Sequence, residues 1–422
     1  MNLQATKSRS RENLLIFLGW LMYTTSYLGK VNYSANITQI IDFYGVTKAE
    51  AGMATSFFFF AYGIGQVING LFCKRYNIKW AIFSSMAISA VINITVAVTT
   101  DFAVIKWLWM INGIAMSVLW PTLIRMMSEA LPRRALSRSS TVLGTTVGTG
   151  TLVIYGLSAI YAMFGQFRLA FWTGGVAGAV VAVVWLMLHS RATSMAKAER
   201  AEDEPESVRV EAGGAPQQVV GIERKLIFIS IAFLCLFSVG INLIKDGLTT
   251  WVPSILKDTY HFPDALSILL TLFLPITAIF GNLFALWVHK RVPDYIKHSG
   301  LIFGLMGVLI LGLIGSMNLG WAVVLLVGMV IVNYLASSLN SLNTSIFPMF
   351  MREKVNSGLM AGLLNGFCYV GSTISSYGLG AVADRWGWTA VFWVLCGFCG
   401  IAVVAWMVYR IVVRLVKGNT LQ

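Results

Sequence analysis

Runs of about twenty apolar residues recur along the chain, separated by short breaks rich in Lys, Arg, Gly and Pro. A bilayer crossing takes about 20 such residues. Twelve can be placed, near 13–38, 50–73, 80–99, 103–128, 138–163, 168–189, 225–257, 264–289, 296–317, 320–346, 355–383 and 388–415. The pattern predicts an all-α membrane protein of twelve transmembrane helices. Three landmarks repeat at nearly one interval: Lys74-Arg75 returns as Lys290-Arg291 and Pro132 as Pro348, both 216 residues on, and Lys30 returns as Lys245 after 215. The chain therefore divides into two pseudo-symmetric six-helix bundles, 1–190 and 225–422. They are joined by 191–224, whose Glu, Arg, Ala, Gly and Pro content predicts a flexible cytoplasmic linker.

Composition agrees with a membrane protein. Hydrophobic residues make up 57% and charged residues 12%, with a mean hydropathy of +0.74, against about 25% charged in soluble domains. The net charge of +13 does not point to nucleic acid, because the basic residues sit in short clusters between apolar runs. They report topology instead. Placing both termini in the cytoplasm puts 23 of the 31 Lys and Arg on that side. Five lie at outer ends (Lys48, Lys106, Arg168, Lys257, Arg385) and three stay in the membrane (Lys30, Arg125, Lys245). The expected location is a plasma membrane, the inner one in a bacterium, with the first helix retained. Cys73, Cys235, Cys368, Cys396 and Cys399 fall in or beside apolar segments and form no disulfide framework. His189, His261, His289 and His298 are scattered without ligand spacing, so no metal or other cofactor is expected. N-x-S/T matches at Asn32, Asn36, Asn93 and Asn343 lie within spans, where glycosylation has no access.

The chemistry concentrates on the interior charges. A cation at a helix centre costs about 2.5–3.5 kcal/mol on insertion scales, which makes Lys30 and Lys245 substrate-site candidates. Tyr23, Tyr27, Lys30 and Ser34 follow i, i+4, i+7, i+11 spacing and predict one polar helix face able to hold an anion's oxygens. In the second repeat Asp246 follows Lys245 directly and would balance its charge, accept a proton or pair with another helix. Two lysines with an ionised Asp246 leave about one net positive charge, which suits a monoanion or a proton-coupled anion. Asn340, Asn343, Asn365 and Tyr369 are polar candidates for the second bundle's share of the cavity or for interhelical bonding. Arg125 and Glu129, four residues apart, predict an ion pair with a structural or gating role. Small-xxx-small spacing at Gly144 and Gly148, and at Gly358, Gly362 and Gly366, predicts close helix contacts.

These features fit the major facilitator architecture, and over nearly its whole length the chain resembles the organophosphate:phosphate antiporter family. The likeness is carried by Tyr23-x3-Tyr27-x2-Lys30, Ala61-Tyr62-Gly63, Trp120-Pro121-x3-Arg125, Lys245-x-Gly247-x3-Trp251-x-Pro253, Gly358-x3-Gly362 and Gly380-x3-Asp384-x2-Gly387-Trp388. The resemblance implies that Lys30 and Lys245 stand where that family grips phosphate with two arginines, and that Tyr23, Tyr27 and Tyr369 are cavity tyrosines. Asp384 and Arg385 fall in the last motif and are assigned to gating or structure. The implied function is alternating-access exchange of a phosphate ester for inorganic phosphate. Proton-coupled symport of a sugar acid or other carboxylate is the alternative, and an anion sensor built on a transporter fold is another. No paired nucleophile and base points to an enzyme. The expected partners are a small anionic substrate, phosphate or a proton as coupling species, and the lipid bilayer, with the protein acting as a monomer.

Overall fold

A computed structural model describes residues 2–72, 75–203, 222–292, 294–350 and 357–418; Cys73, Lys74 and 204–221 of the linker lie outside them. The described residues are helical, and no strand is found among them. The first part of the chain forms α1 (Asn2–Leu28), α2 (Asn32–Ala35), α3 (Ile37–Tyr44), α4 (Lys48–Phe72), α5 (Ile78–Val98), α6 (Phe102–Ser117), α7 (Leu119–Ala130), α8 (Arg133–Gly144), α9 (Thr146–Met163) and α10 (Arg168–Asp203). The second part forms α11 (Ile222–Tyr260), α12 (Asp264–Thr271), α13 (Phe273–Ala278), α14 (Gly281–His289), α15 (Tyr295–Asn318) and α16 (Ala322–Ser341). A π-helical turn, Leu342–Ile346, leads to α17 (Phe347–Phe350) and α18 (Ser357–Gly418).

Among the described residues nine helices are long and apolar enough to cross a bilayer, or ten if the bent pair Asp264–Ala278 and Leu283–His289 forms one crossing. The difference between ten and twelve has two sources. The first expected span is broken between α1 and α2, and the last two are joined into one element. That element includes Gly362–Val416, 55 residues, or about 80 Å at 1.5 Å per residue against a hydrocarbon core of about 30 Å. Gly387, at φ 76° and ψ 177°, breaks the helical path inside it, a conformation that a residue with a Cβ rarely adopts. The linker also differs from expectation at its start, because α10 continues as helix to Asp203.

Two close contacts organise the interior. Helix α4 lies against α18, with Gly52 facing the Ser376 carbonyl, Gly63 facing Tyr369 and Gly380 facing the Lys48 carbonyl and Trp251. Helix α11 meets the same α18 where Gly371 faces the Val239 carbonyl and Gly247 faces Leu379 and Ser375. Small residues at these points let the backbones approach. The expected Gly144 and Gly362 instead face open space, while Gly148 and Gly366 meet only the side chains of Ile279 and Val67. The surroundings of Gly358 lie outside the description.

At one end of the molecule, side chains tie the two halves of the chain together. The Lys48 ammonium lies 3.1 Å from Asp258 and 3.9 Å from Asp384, and Lys257 pairs with Asp42 as well as Asp264. Asp384 also accepts the backbone N–H groups of Lys48 (3.2 Å) and Ala49 (2.8 Å). It thus satisfies the open first turn of α4 from the other half of the chain. Ser56 extends the seam by donating to the Thr373 carbonyl and accepting from the Tyr377 N–H. At the opposite end, Glu12 pairs with Arg134 and Arg138, and Arg134 also pairs with Glu199, all within the first half.

Candidate functional site

Lys30 sits at the break in the first span. Helix α1 stops at Leu28, and Lys30 and Val31 both bond back to the Tyr27 carbonyl in a tight turn. The break leaves the Gly29 carbonyl without its helical partner. Asn93 of α5 and Asn112 of α6 donate to it at 3.1 and 2.9 Å, and Asn32 binds the Asn93 side chain at 2.8 Å. Asn36 ties α2 to Ser158 of α9 at 2.9 Å. Buried backbone at membrane depth needs such partners. Three of the asparagines that matched N-x-S/T, Asn32, Asn36 and Asn93, therefore form the scaffold of the break together with Asn112.

Around the Lys30 ammonium the sequence supplies aromatic faces from three elements. Its Nζ lies 4.0 Å from the ring centre of Tyr62, 5.0 Å from Tyr27, 5.6 Å from Phe58 and 5.7 Å from Tyr369. Among the described residues no carboxylate pairs with it. The rings brace one another: Tyr62 meets Tyr369 edge-on at 4.8 Å, Phe58 stacks on Tyr62 at 5.6 Å, and Tyr23 bridges Tyr27 and Trp120. Ring quadrupoles attract a desolvated cation by about 2 kcal/mol each, which offsets part of the cost of holding the ammonium inside. Its N–H groups stay available to an anion.

Lys245 has the opposite surroundings. Its ammonium is 3.2 Å from Asp246 Oδ1, while Asp246 Oδ2 accepts from Ser372 Oγ at 2.5 Å and Asn242 Nδ2 at 3.2 Å. Asn242 also donates to Ser372, and Asn340 donates to Asn242 Oδ1 at 2.7 Å. Asp246 thus both balances Lys245 and binds a second helix, α18. The side chains of Lys245 and Asp246 keep 26% and 17% of their surface open although they lie mid-helix. One turn of α18 serves both lysines: Tyr369 lies 5.7 Å from Lys30 Nζ, and Ser372, three residues on, bonds Asp246. Two cations, one carboxylate and a set of phenols thus share one interior region.

The structure redistributes several expected site residues. Ser34 does not continue the face of Tyr23, Tyr27 and Lys30, because the turn at Gly29–Val31 interrupts the register; it sits buried in α2. Asn343 is fully buried in the π-helical turn and donates to Ser238 Oγ and the Leu234 carbonyl, which fastens that turn to α11. Asn365 donates to Gln66 of α4 at 2.7 Å. Arg125 and Glu129 form their ion pair at 2.7 Å, and Arg125 also donates to the Tyr76 carbonyl. Arg385 turns to its neighbour Trp386, whereas Asp384 joins the inter-half seam and Trp388 donates to Asp258.

Four contributors escaped the sequence reading: Phe58 and Tyr62 in the cage, and Asn242 and Ser372 beside Asp246. Tyr62 lay in a recognised motif, Ala61-Tyr62-Gly63, and Asn242 stands four residues before Asp246, a helical-neighbour spacing that could have flagged it.

Residues 19–357 match the family model described as Major Facilitator Superfamily. Similar curated proteins include a probable hexose phosphate transport protein of Chlamydia pneumoniae, 22% identical over 416 residues that cover 93% of this chain and 89% of that one. The glycerol-3-phosphate transporter of Bacillus subtilis is likewise 22% identical, over 93% of this chain and 91% of its own. Among solved structures, a mutant of the peptide transporter POT superposes with a TM-score of 0.74 at 14% identity, covering 95% of this chain and 94% of that one.

Proposed function

The chain belongs to the Major Facilitator Superfamily, and from that premise we propose that it is a secondary transporter of a small organic anion. The preferred reading is a phosphate ester exchanged for inorganic phosphate by alternating access. The observation that carries it is Lys30, an interior cation enclosed by rings from both halves of the chain. Interior charge of this kind marks a substrate path, and the similar proteins named for hexose phosphate and glycerol 3-phosphate supply the ester class.

In this reading 1–190 and 225–422 rock about the shared site, with both termini in the cytoplasm. The Lys48–Asp258–Asp384 and Asp42–Lys257 links close the outer end. Transport involves no bond making, and the protein acts as a carrier in a bacterial inner membrane. A second reading, proton-coupled uptake of a carboxylate, is favoured by Asp246, whose pairing with Lys245 lowers the site's positive charge.

Counterflow in proteoliposomes separates the two. Phosphate-loaded vesicles should take up labelled glucose 6-phosphate or glycerol 3-phosphate at least tenfold faster than empty ones. Uptake that ignores internal phosphate but follows an imposed pH gradient would replace exchange with symport.

A further inference from the structure

The two lysines hold equivalent places in the repeat but carry different net charge. Lys245 and Asp246 sit 3.2 Å apart, and their sum is zero whether the shared proton rests on nitrogen or on oxygen. Lys30 has rings around it and, among the described residues, no carboxylate partner, so it supplies the region's whole excess charge. On the Lys245 side, Lys245, Asp246 and Asn340 keep open surface, whereas Asn242 and Ser372 are buried and hold Asp246 and Asn340 in place by hydrogen bonds. Those three open groups suit a vicinal diol, with Asp246 accepting a hydrogen bond from one hydroxyl and Lys245 or the Asn340 amide donating to a hydroxyl oxygen.

We infer that the halves recognise different parts of one substrate: Lys30 binds a single negative charge, and Lys245, Asp246 and Asn340, braced by Asn242 and Ser372, bind hydroxyl groups. The ligand class is a hydroxylated monoanion, either a polyhydroxy carboxylate or a sugar phosphate in its singly protonated form. A fully ionised dianion would bring its second charge against the Asp246 carboxylate. This deepens the transporter reading above and rests on it. Asp246 thereby becomes the residue that sets charge selectivity.

The test is isothermal titration of purified full-length protein at pH 7 with gluconate, glucarate and hexanoate. These share a six-carbon chain and differ only in one carboxylate or in the hydroxyls. Gluconate should bind at least tenfold more tightly than either of the others, and Asp246→Asn should shrink the gluconate-to-glucarate ratio at least tenfold. Glucose 6-phosphate, titrated at pH 5.5 and 7.5 on either side of its second ionisation at about 6, distinguishes the two sources. Binding stronger than gluconate at the lower pH assigns the head group to phosphate, and weaker binding assigns it to carboxylate. Wild-type protein that prefers glucarate, or prefers glucose 6-phosphate at pH 7.5, overturns the inference and leaves the transporter reading intact. An Asp246→Asn ratio equal to wild type overturns it too. If none of these anions binds, both readings fall together.

Discussion

The interior lysines stand 215 residues apart at matching points of a repeat, yet one is wrapped in aromatic rings and the other is clamped to a carboxylate. The difference shows how a duplicated fold can specialise. The Lys30 turn exists because α1 ends at Leu28 and two asparagines, Asn93 and Asn112, satisfy the exposed Gly29 carbonyl while Asn32 holds Asn93. The counterpart α11 runs unbroken through Lys245, with Pro253 inside it, and needs no such scaffold. Side-chain chemistry follows backbone geometry: a cation on a turn is ringed by neighbours from several helices, whereas one on a continuous helix takes a partner from its own sequence.

Substitutions can break this contrast in graded steps. Lys30→Gln removes the uncompensated charge and should lower anion uptake at least a hundredfold while membrane insertion, followed by size-exclusion profile, stays normal. Lys245→Gln leaves Asp246 alone in a poorly solvated site, where breaking a buried pair costs about 3–5 kcal/mol, and should lower uptake about thirtyfold. Lys245→Gln combined with Asp246→Asn restores neutrality and should recover at least tenfold of that loss. A double variant as poor as the single one would mean that Lys245 acts through its own charge. Asp384→Asn weakens a cap worth about 0.5–2 kcal/mol and the Lys48 contact, so the outer seam should open more often. Labelling of a Ser56→Cys reporter from the outside should rise about tenfold. The smallest effect is expected in the cage: Tyr62→Leu removes one ring face, about 1 kcal/mol, and should raise KM about fivefold, whereas Tyr62→Phe should stay within about twofold of wild type.

Much of this was readable from the chain. Apolar length found most of the spans, and the rarity of interior charge singled out Lys30, Lys245 and Asp246. The Arg125–Glu129 pair followed from helical spacing. What failed depended on tertiary context. A glycine at 29 is compatible with an intact helix, so nothing local announced the turn that removes Ser34 from the polar face. Asn32, Asn36 and Asn93 matched a surface modification motif although their amides serve buried backbone. Phe58 reads as packing in an apolar helix, and only the fold brings it beside a cation. Glycine spacing pointed to Gly144 and Gly362, but close approach occurs at Gly52, Gly63, Gly371 and Gly380, because contact depends on which face meets a neighbour. The motif Gly380-x3-Asp384-x2-Gly387-Trp388 gains a physical meaning only in three dimensions. There it provides a close contact, a cap for α4, a chain break and a donor to Asp258.

The central claim is that the Lys30 ammonium receives the substrate's charge, and a structure of the protein with an electron-dense anion such as arsenate or a brominated hydroxy acid tests it most directly. The predicted result is ligand density within about 4 Å of Lys30 Nζ, with at least one of the four rings displaced. Density bound only at either end of the bundle, with Lys30 still enclosed by Tyr27, Phe58, Tyr62 and Tyr369, would contradict it.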